Sequence, residues 1–91
     1  MKIVCSELYE KQLKEILESM LEFDYKATKS FKSYLDTIIV NIPTKSKKYK
    51  KSIFFDDEKI KDVEHQGLRI PFYIDEENDV YLILGISKIV T

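Results

Sequence analysis

The residues best suited to chemistry in this sequence are cations. Arg69 is its only arginine, and Lys45, Lys47, Lys48, Lys50 and Lys51 crowd together around Tyr49. A guanidinium fixed on a strand grips phosphate or carboxylate through paired donors, which a mobile ammonium does less well. A lysine cluster neutralises phosphates, and Tyr49 offers it a stacking surface. Both features also have plain structural uses: an arginine among many acids forms salt bridges, and a run of lysines is commonly a solvated loop.

Other chemistry has less support. His65 is the only histidine and lies in a predicted turn between Glu64 and Gln66, which places it in solvent rather than beside a reacting group. Cys5 has no basic neighbour in sequence and reads as a small apolar side chain. Asp56, Asp57 and Glu58 are adjacent, without the spaced oxygen ligands of a calcium loop. No metal and no cofactor are expected.

The chain has 91 residues, which predicts one domain over 1–91, near the lower limit for a core that supports itself. Its formal charge of −1 hides a local imbalance, with lysines at 45–51 and acids at 56–58 and 75–79. A lone cysteine forms no internal disulfide and fits a reducing cytoplasm. No signal peptide and no apolar run of membrane-spanning length are visible, so a soluble cytoplasmic protein with no membrane partner is expected.

The elements that must position Arg69 follow from apolar spacing. Residues 2–5, KIVC, suit a first strand, and Ser6 reads as the N-cap of a helix running to about Glu22. Its stripe is Leu13, Ile16, Leu17, Met20 and Leu21. Ala27, Phe31, Tyr34, Leu35, Ile38 and Ile42 repeat the helical spacing, and Pro43 closes that second helix. So short a link makes the pair an antiparallel hairpin.

A sheet must then cover the two stripes. Ile53, Phe54 and Phe55 form a compact apolar run, Lys59 to Val63 a weak strand, and His65, Gln66 and Gly67 a turn. In Leu68 to Ile74 the even positions are apolar and the odd ones are Arg69, Pro71 and Tyr73, so Arg69 and Tyr73 share the face turned from the core. Pro71 implies an edge, a bulge or a local end of pairing. Val80 to Ile86 is apolar on both faces, as in a central strand. Lys88 has the parity of Val80 and Leu82 and joins the Arg69 surface only if the strand twists or ends before it. The expected class is α+β: an N-terminal strand and a helical hairpin packed on a small antiparallel sheet.

This order, with KIVCSELYEKQLKEILESM, KSIFFDDEKI, LRIPFYID and VYLILGISK, resembles the RelE/ParE superfamily of bacterial toxins over nearly the whole chain, and its ParE-like members in particular. The resemblance implies the toxin of a type II toxin–antitoxin pair, neutralised by a cognate antitoxin protein. It implies one of two targets. In ribosome-dependent mRNA cleavage, Lys50 or Lys51, Arg69 and Lys88 match the family's basic positions. Ile89 follows Lys88, however, and no tyrosine comes after it, which leaves that set incomplete. The ParE branch instead poisons DNA gyrase without being an enzyme, and this is the favoured reading. A nontoxic module that only binds an antitoxin is the third. Arg69 is the expected anchor for target or partner, supported by Tyr73, Lys50, Lys51 and Lys88.

Overall fold

In a computed structural model that describes residues 2–89, Ser6 starts the first helix as its position predicts. Its hydroxyl oxygen accepts the Tyr9 N–H at 3.0 Å and opens α1 (Glu7–Leu21). Asp24 does the same for α2 (Tyr25–Val40), accepting the Ala27 N–H. Each cap satisfies a first-turn N–H that has no carbonyl partner in its own helix. Tyr9 and Leu13 of α1 and Leu35 and Ile39 of α2 are buried on the facing stripes. Ala27, expected on the α2 stripe, is exposed, and Thr28 takes the buried place. The Thr28 hydroxyl donates to the Asp24 carbonyl at 2.7 Å, which makes its burial tolerable.

Beyond α2 the chain stays helical for longer than the sequence suggests. Pro43 stands in the first turn of a short helix, α3 (Ile42–Lys45), where its missing N–H is not needed. A 3₁₀ turn over Ser46–Lys48 follows, and Ile42, fully buried, is part of the core.

The strands are β1 (Lys2–Cys5), β2 (Lys50–Lys51), β3 (Ile60–His65), β4 (Leu68–Asp75), β5 (Val80–Ile83) and β6 (Ser87–Lys88). They form one sheet in the order β1-β5-β4-β3-β2, with β6 also paired to β4. The class is α+β as expected, but the sheet is mixed rather than antiparallel. β1 runs parallel to β5, from Lys2 opposite Val80 to Cys5 opposite Ile83. Hydrogen bonds from the Lys2 N–H to the Asp79 carbonyl and from the Ser6 N–H to the Ile83 carbonyl fix that direction at both ends.

Alternation in β4 behaves as predicted. Leu68, Ile70 and Phe72 are buried against the helices, together with Val63, Tyr81 and Ile83 from the neighbouring strands. Gln66 and Gly67 make the β3–β4 turn with φ of 45° and 79°, the left-handed pair that a two-residue hairpin favours.

Pro71 sits at a bulge. β5 pairs Ile83 with Phe72, whereas β6 pairs Ser87 with Arg69, so Leu84, Gly85 and Ile86 face only Ile70 and Pro71. The proline lacks a donor where the ladder breaks, and its carbonyl accepts the Leu84 N–H at 2.9 Å. α1 satisfies the rest: the Ser6 hydroxyl donates to the Leu84 carbonyl, and the Ile86 N–H donates to Gln12 Oε1, both at 2.9 Å. A Cβ on Gly85 would lie 2.7 Å from that same oxygen. Gly85→Ala should therefore displace Gln12 and strand a buried N–H, lowering stability by about 1–3 kcal/mol in urea unfolding.

Candidate functional site

The sheet face turned from the helices carries Asp62 and Glu64 from β3, and Arg69, Pro71 and Tyr73 from β4. Register places Glu64 opposite Arg69, Asp62 opposite Pro71 and Lys50 opposite Asp62, and directly paired residues share a face. Tyr73 lies half-buried between Ile60 and Leu82, four residues along β4 from Arg69. The expected sharing of one face by Arg69 and Tyr73 is therefore what the register produces, and Lys50 falls on that face as well.

The state of Arg69 differs from the expectation of an outward cation. Its side chain is only 11% exposed, and Nη1 donates to Asp62 Oδ2 at 3.1 Å and to Glu64 Oε1 at 2.8 Å. The guanidinium is thus held between two carboxylates, which is the plain structural use of an arginine among acids. The Asp62 side chain is 4% exposed, and the same oxygen accepts the Ile53 N–H at 3.0 Å. Its Oδ1 is buried without a hydrogen-bond partner among the described residues.

The covering material is the segment 52–58, here called the strap. Ile53, Phe54 and Phe55 form no strand, contrary to the apolar run's promise, and are 70%, 54% and 42% exposed. The last ladder bond runs from the Ser52 N–H to the Ile60 carbonyl; the Phe54 N–H, next in line to face β3, goes instead to Ser52 Oγ at 3.1 Å, and the Ile53 N–H goes to the Asp62 side chain. The Phe54 ring lies over Arg69, 5.8 Å from centroid to guanidinium carbon. The strap's far end is tied by Lys51 to Asp56 at 2.9 Å. That hydrogen bond raises the Lys51 pKa and lowers that of Asp56.

Lys48, Lys50 and Lys51 line a cleft of about 340 Å³ with Arg69, Asp62 and Glu64. Tyr49 reaches it too, but its ring is set edge-on to Phe72, with centroids 5.7 Å apart, so it is committed to packing. Lys88 does not join this surface. It pairs with the core-facing Leu68 and borders a cavity with Met20, Phe31 and Gly67 on the helix side. The β4–β6 pairing shifts one residue at the bulge and sets that parity.

His65 is not the solvated turn residue expected. It ends β3, half-buried, with its ring stacked on Tyr34 at 5.0 Å and Nε2 buried without a partner among the described residues. It shares the helix-side face with Leu68, away from Arg69. Cys5 is half-buried, and burial, then the Glu10 and Asp36 carboxylates, push its thiol pKa up, the reverse of an activated nucleophile. No group of three or more metal-binding side chains occurs among the described residues, and none of their helices is long and apolar enough to cross a membrane.

No family model matches this sequence, and no curated protein matches it significantly. Solved structures do. A chain of the RelBE2 toxin–antitoxin complex of Mycobacterium tuberculosis is similar with a TM-score of 0.64 and 9% identity, over 96% of this chain and 95% of that one. The conserved hypothetical protein HP0892 of Helicobacter pylori gives 0.61 and 17%, over 97% and 93%. What is shared at such identities is the fold alone, along nearly the whole of each chain.

Proposed function

We propose that this chain is the toxin of a type II toxin–antitoxin pair, acting in the cytoplasm by binding and poisoning DNA gyrase until a cognate antitoxin covers it. The observation that carries the toxin reading is a fold shared along 96% of the chain with a component of a toxin–antitoxin complex. Binding is favoured over RNA cleavage by the chemistry of the Arg69 cleft. Attack by a ribose 2′-hydroxyl needs a proton acceptor and cations free to stabilise the phosphorane. Here the guanidinium is neutralised by Asp62 and Glu64, the histidine lies on the other face, and Tyr49 is packed against Phe72. Around the ion-paired Arg69, Tyr73 and Lys50 offer a surface for docking on a charged target, with Lys51 as its flank. The antitoxin's place is the groove of about 390 Å³ between α1 and α2, beside edge strand β1, where Leu17 and Leu21 are reachable.

Induced expression in a bacterial host tests this. Growth arrest is expected, with gyrase-bound broken DNA accumulating, messenger RNA intact, and relief when the product of the adjacent gene is co-expressed. Cut messenger RNA would instead establish the ribosome-dependent endonuclease, and unhindered growth the nontoxic antitoxin-binding module.

A further inference from the structure

The strap leaves two phenylalanine rings in solvent where a folded chain would ordinarily bury them. One face of Phe54 is taken by the Arg69 guanidinium and the rest of the ring is open. Phe55 follows it along a groove bordered by Leu8, Pro71 and Ile86. Cations without counter-charges stand close by: Lys48 and Lys50 line the cleft of Arg69, over which Phe54 lies. Lys45, Lys47, Lys48 and Lys50 are exposed, with no carboxylate at ion-pair distance among the described residues, whereas Lys51 and Arg69 are spent on acids. Free ammonium groups beside open aromatic faces are the two parts of a single-strand nucleic-acid surface: the first follow the phosphates, the second stack the bases.

We infer that the strap is a stacking platform for single-stranded nucleic acid, with bases on Phe54 and Phe55 and the backbone along Lys48 and Lys50. Tyr49, the aromatic residue that the sequence offers for this role, is packed inward, and the strap supplies the rings in its place. Ring faces and ammonium groups read neither base edges nor the 2′-hydroxyl, so binding is tolerant of sequence and of sugar. A membrane surface is the poorer fit: Asp56, Asp57 and Glu58 adjoin the rings, and burying Phe55 in a bilayer would drag those carboxylates into the interface. Bases can stack on the open faces while the acids stay in water. The inference stands on the strap and does not require gyrase as the target.

Fluorescence anisotropy with labelled oligothymidylate, oligouridylate and a duplex of equal length provides the test, using the whole chain. Both single strands should bind alike and more tightly than the duplex. Phe54→Leu/Phe55→Leu keeps an apolar cover over Arg69 but removes the ring faces, and should weaken single-strand binding by about tenfold or more with the salt dependence unchanged. Lys48→Ala/Lys50→Ala should lower the slope of log affinity against log salt by about 1.4. Equal binding of duplex, wild-type affinity in the double leucine variant, or binding confined to anionic vesicles would each overturn the proposal. Failure here with gyrase poisoning intact would leave the toxin reading standing, and the converse would leave the platform.

Discussion

Phe72→Ala should remove a large share of the protein's stability. The side chain is fully buried at the centre of β4, with the Tyr49 ring edge-on at 5.7 Å and Tyr81 at 6.2 Å. Truncating a buried phenylalanine costs about 3–5 kcal/mol, as lost transfer energy and a cavity the surroundings only partly close. A domain of this size holds about 5–15 kcal/mol in total, so the loss is a large share of the whole. Urea unfolding should show the midpoint falling by more than about 1 M with little change in slope. A midpoint within a few tenths of wild type would mean that the sheet–helix layer is not where stability resides.

The second large effect is expected at Asp62. Removing it as Asp62→Ala deprives Arg69 of its buried counter-ion and the Ile53 N–H of its acceptor, leaving only Glu64, which is 61% exposed, to hold the guanidinium. Breaking a buried pair from one side costs about 3–5 kcal/mol, because the remaining charge has lost its compensation. Hydrogen exchange should show the Ile53 amide losing protection before the core strands do. Replacing both partners, as Asp62→Leu/Arg69→Met, should recover most of the loss, since an apolar pair leaves no uncompensated charge. The double variant also separates two roles of Arg69. If the guanidinium contacts a target, this variant folds but no longer arrests growth; if arrest persists, Arg69 serves the fold only.

Much of this architecture was legible because the relevant positions obey simple periods. Ser6 and Asp24 cap helices whose stripes recur every three or four residues, and β4 alternates strictly enough for its two faces to be named from sequence. β3 was harder to read, since its core-facing positions are Lys61, Val63 and His65. Lys61 is tolerated there because Nζ donates to the Ser46 carbonyl at 2.9 Å, and His65 because Tyr34 covers it. Those partners come from the far ends of other elements, beyond the reach of local pattern.

The ion triad was nearer to view. Once Gln66 and Gly67 are taken as a two-residue turn, counting back places Glu64 opposite Arg69 and Asp62 two residues further along the same face. The parallel direction of β1 leaves no trace in alternation, because a strand's faces read alike in either orientation. Ile53 to Phe55 mislead for the opposite reason: apolar composition suggested pairing, but Ser52 Oγ takes the Phe54 amide that would have continued the ladder while the Asp62 carboxylate holds that of Ile53. Phe54's place over Arg69 depends on a residue from another strand and shows in no local pattern.

The partnership of β1 with β5 has a kinetic consequence. Residues 2–5 find their neighbours only at 80–83, so β1 must wait for a segment far along the chain to be made before it can pair. The helical hairpin can form meanwhile from local contacts, but its apolar stripes stay open to solvent until the strands arrive. Closure over so long a separation slows folding and lengthens exposure of the incomplete chain. Newly made protein should therefore reach its finished shape late and together, and chains released early should be targets for proteolysis rather than partial versions of the whole.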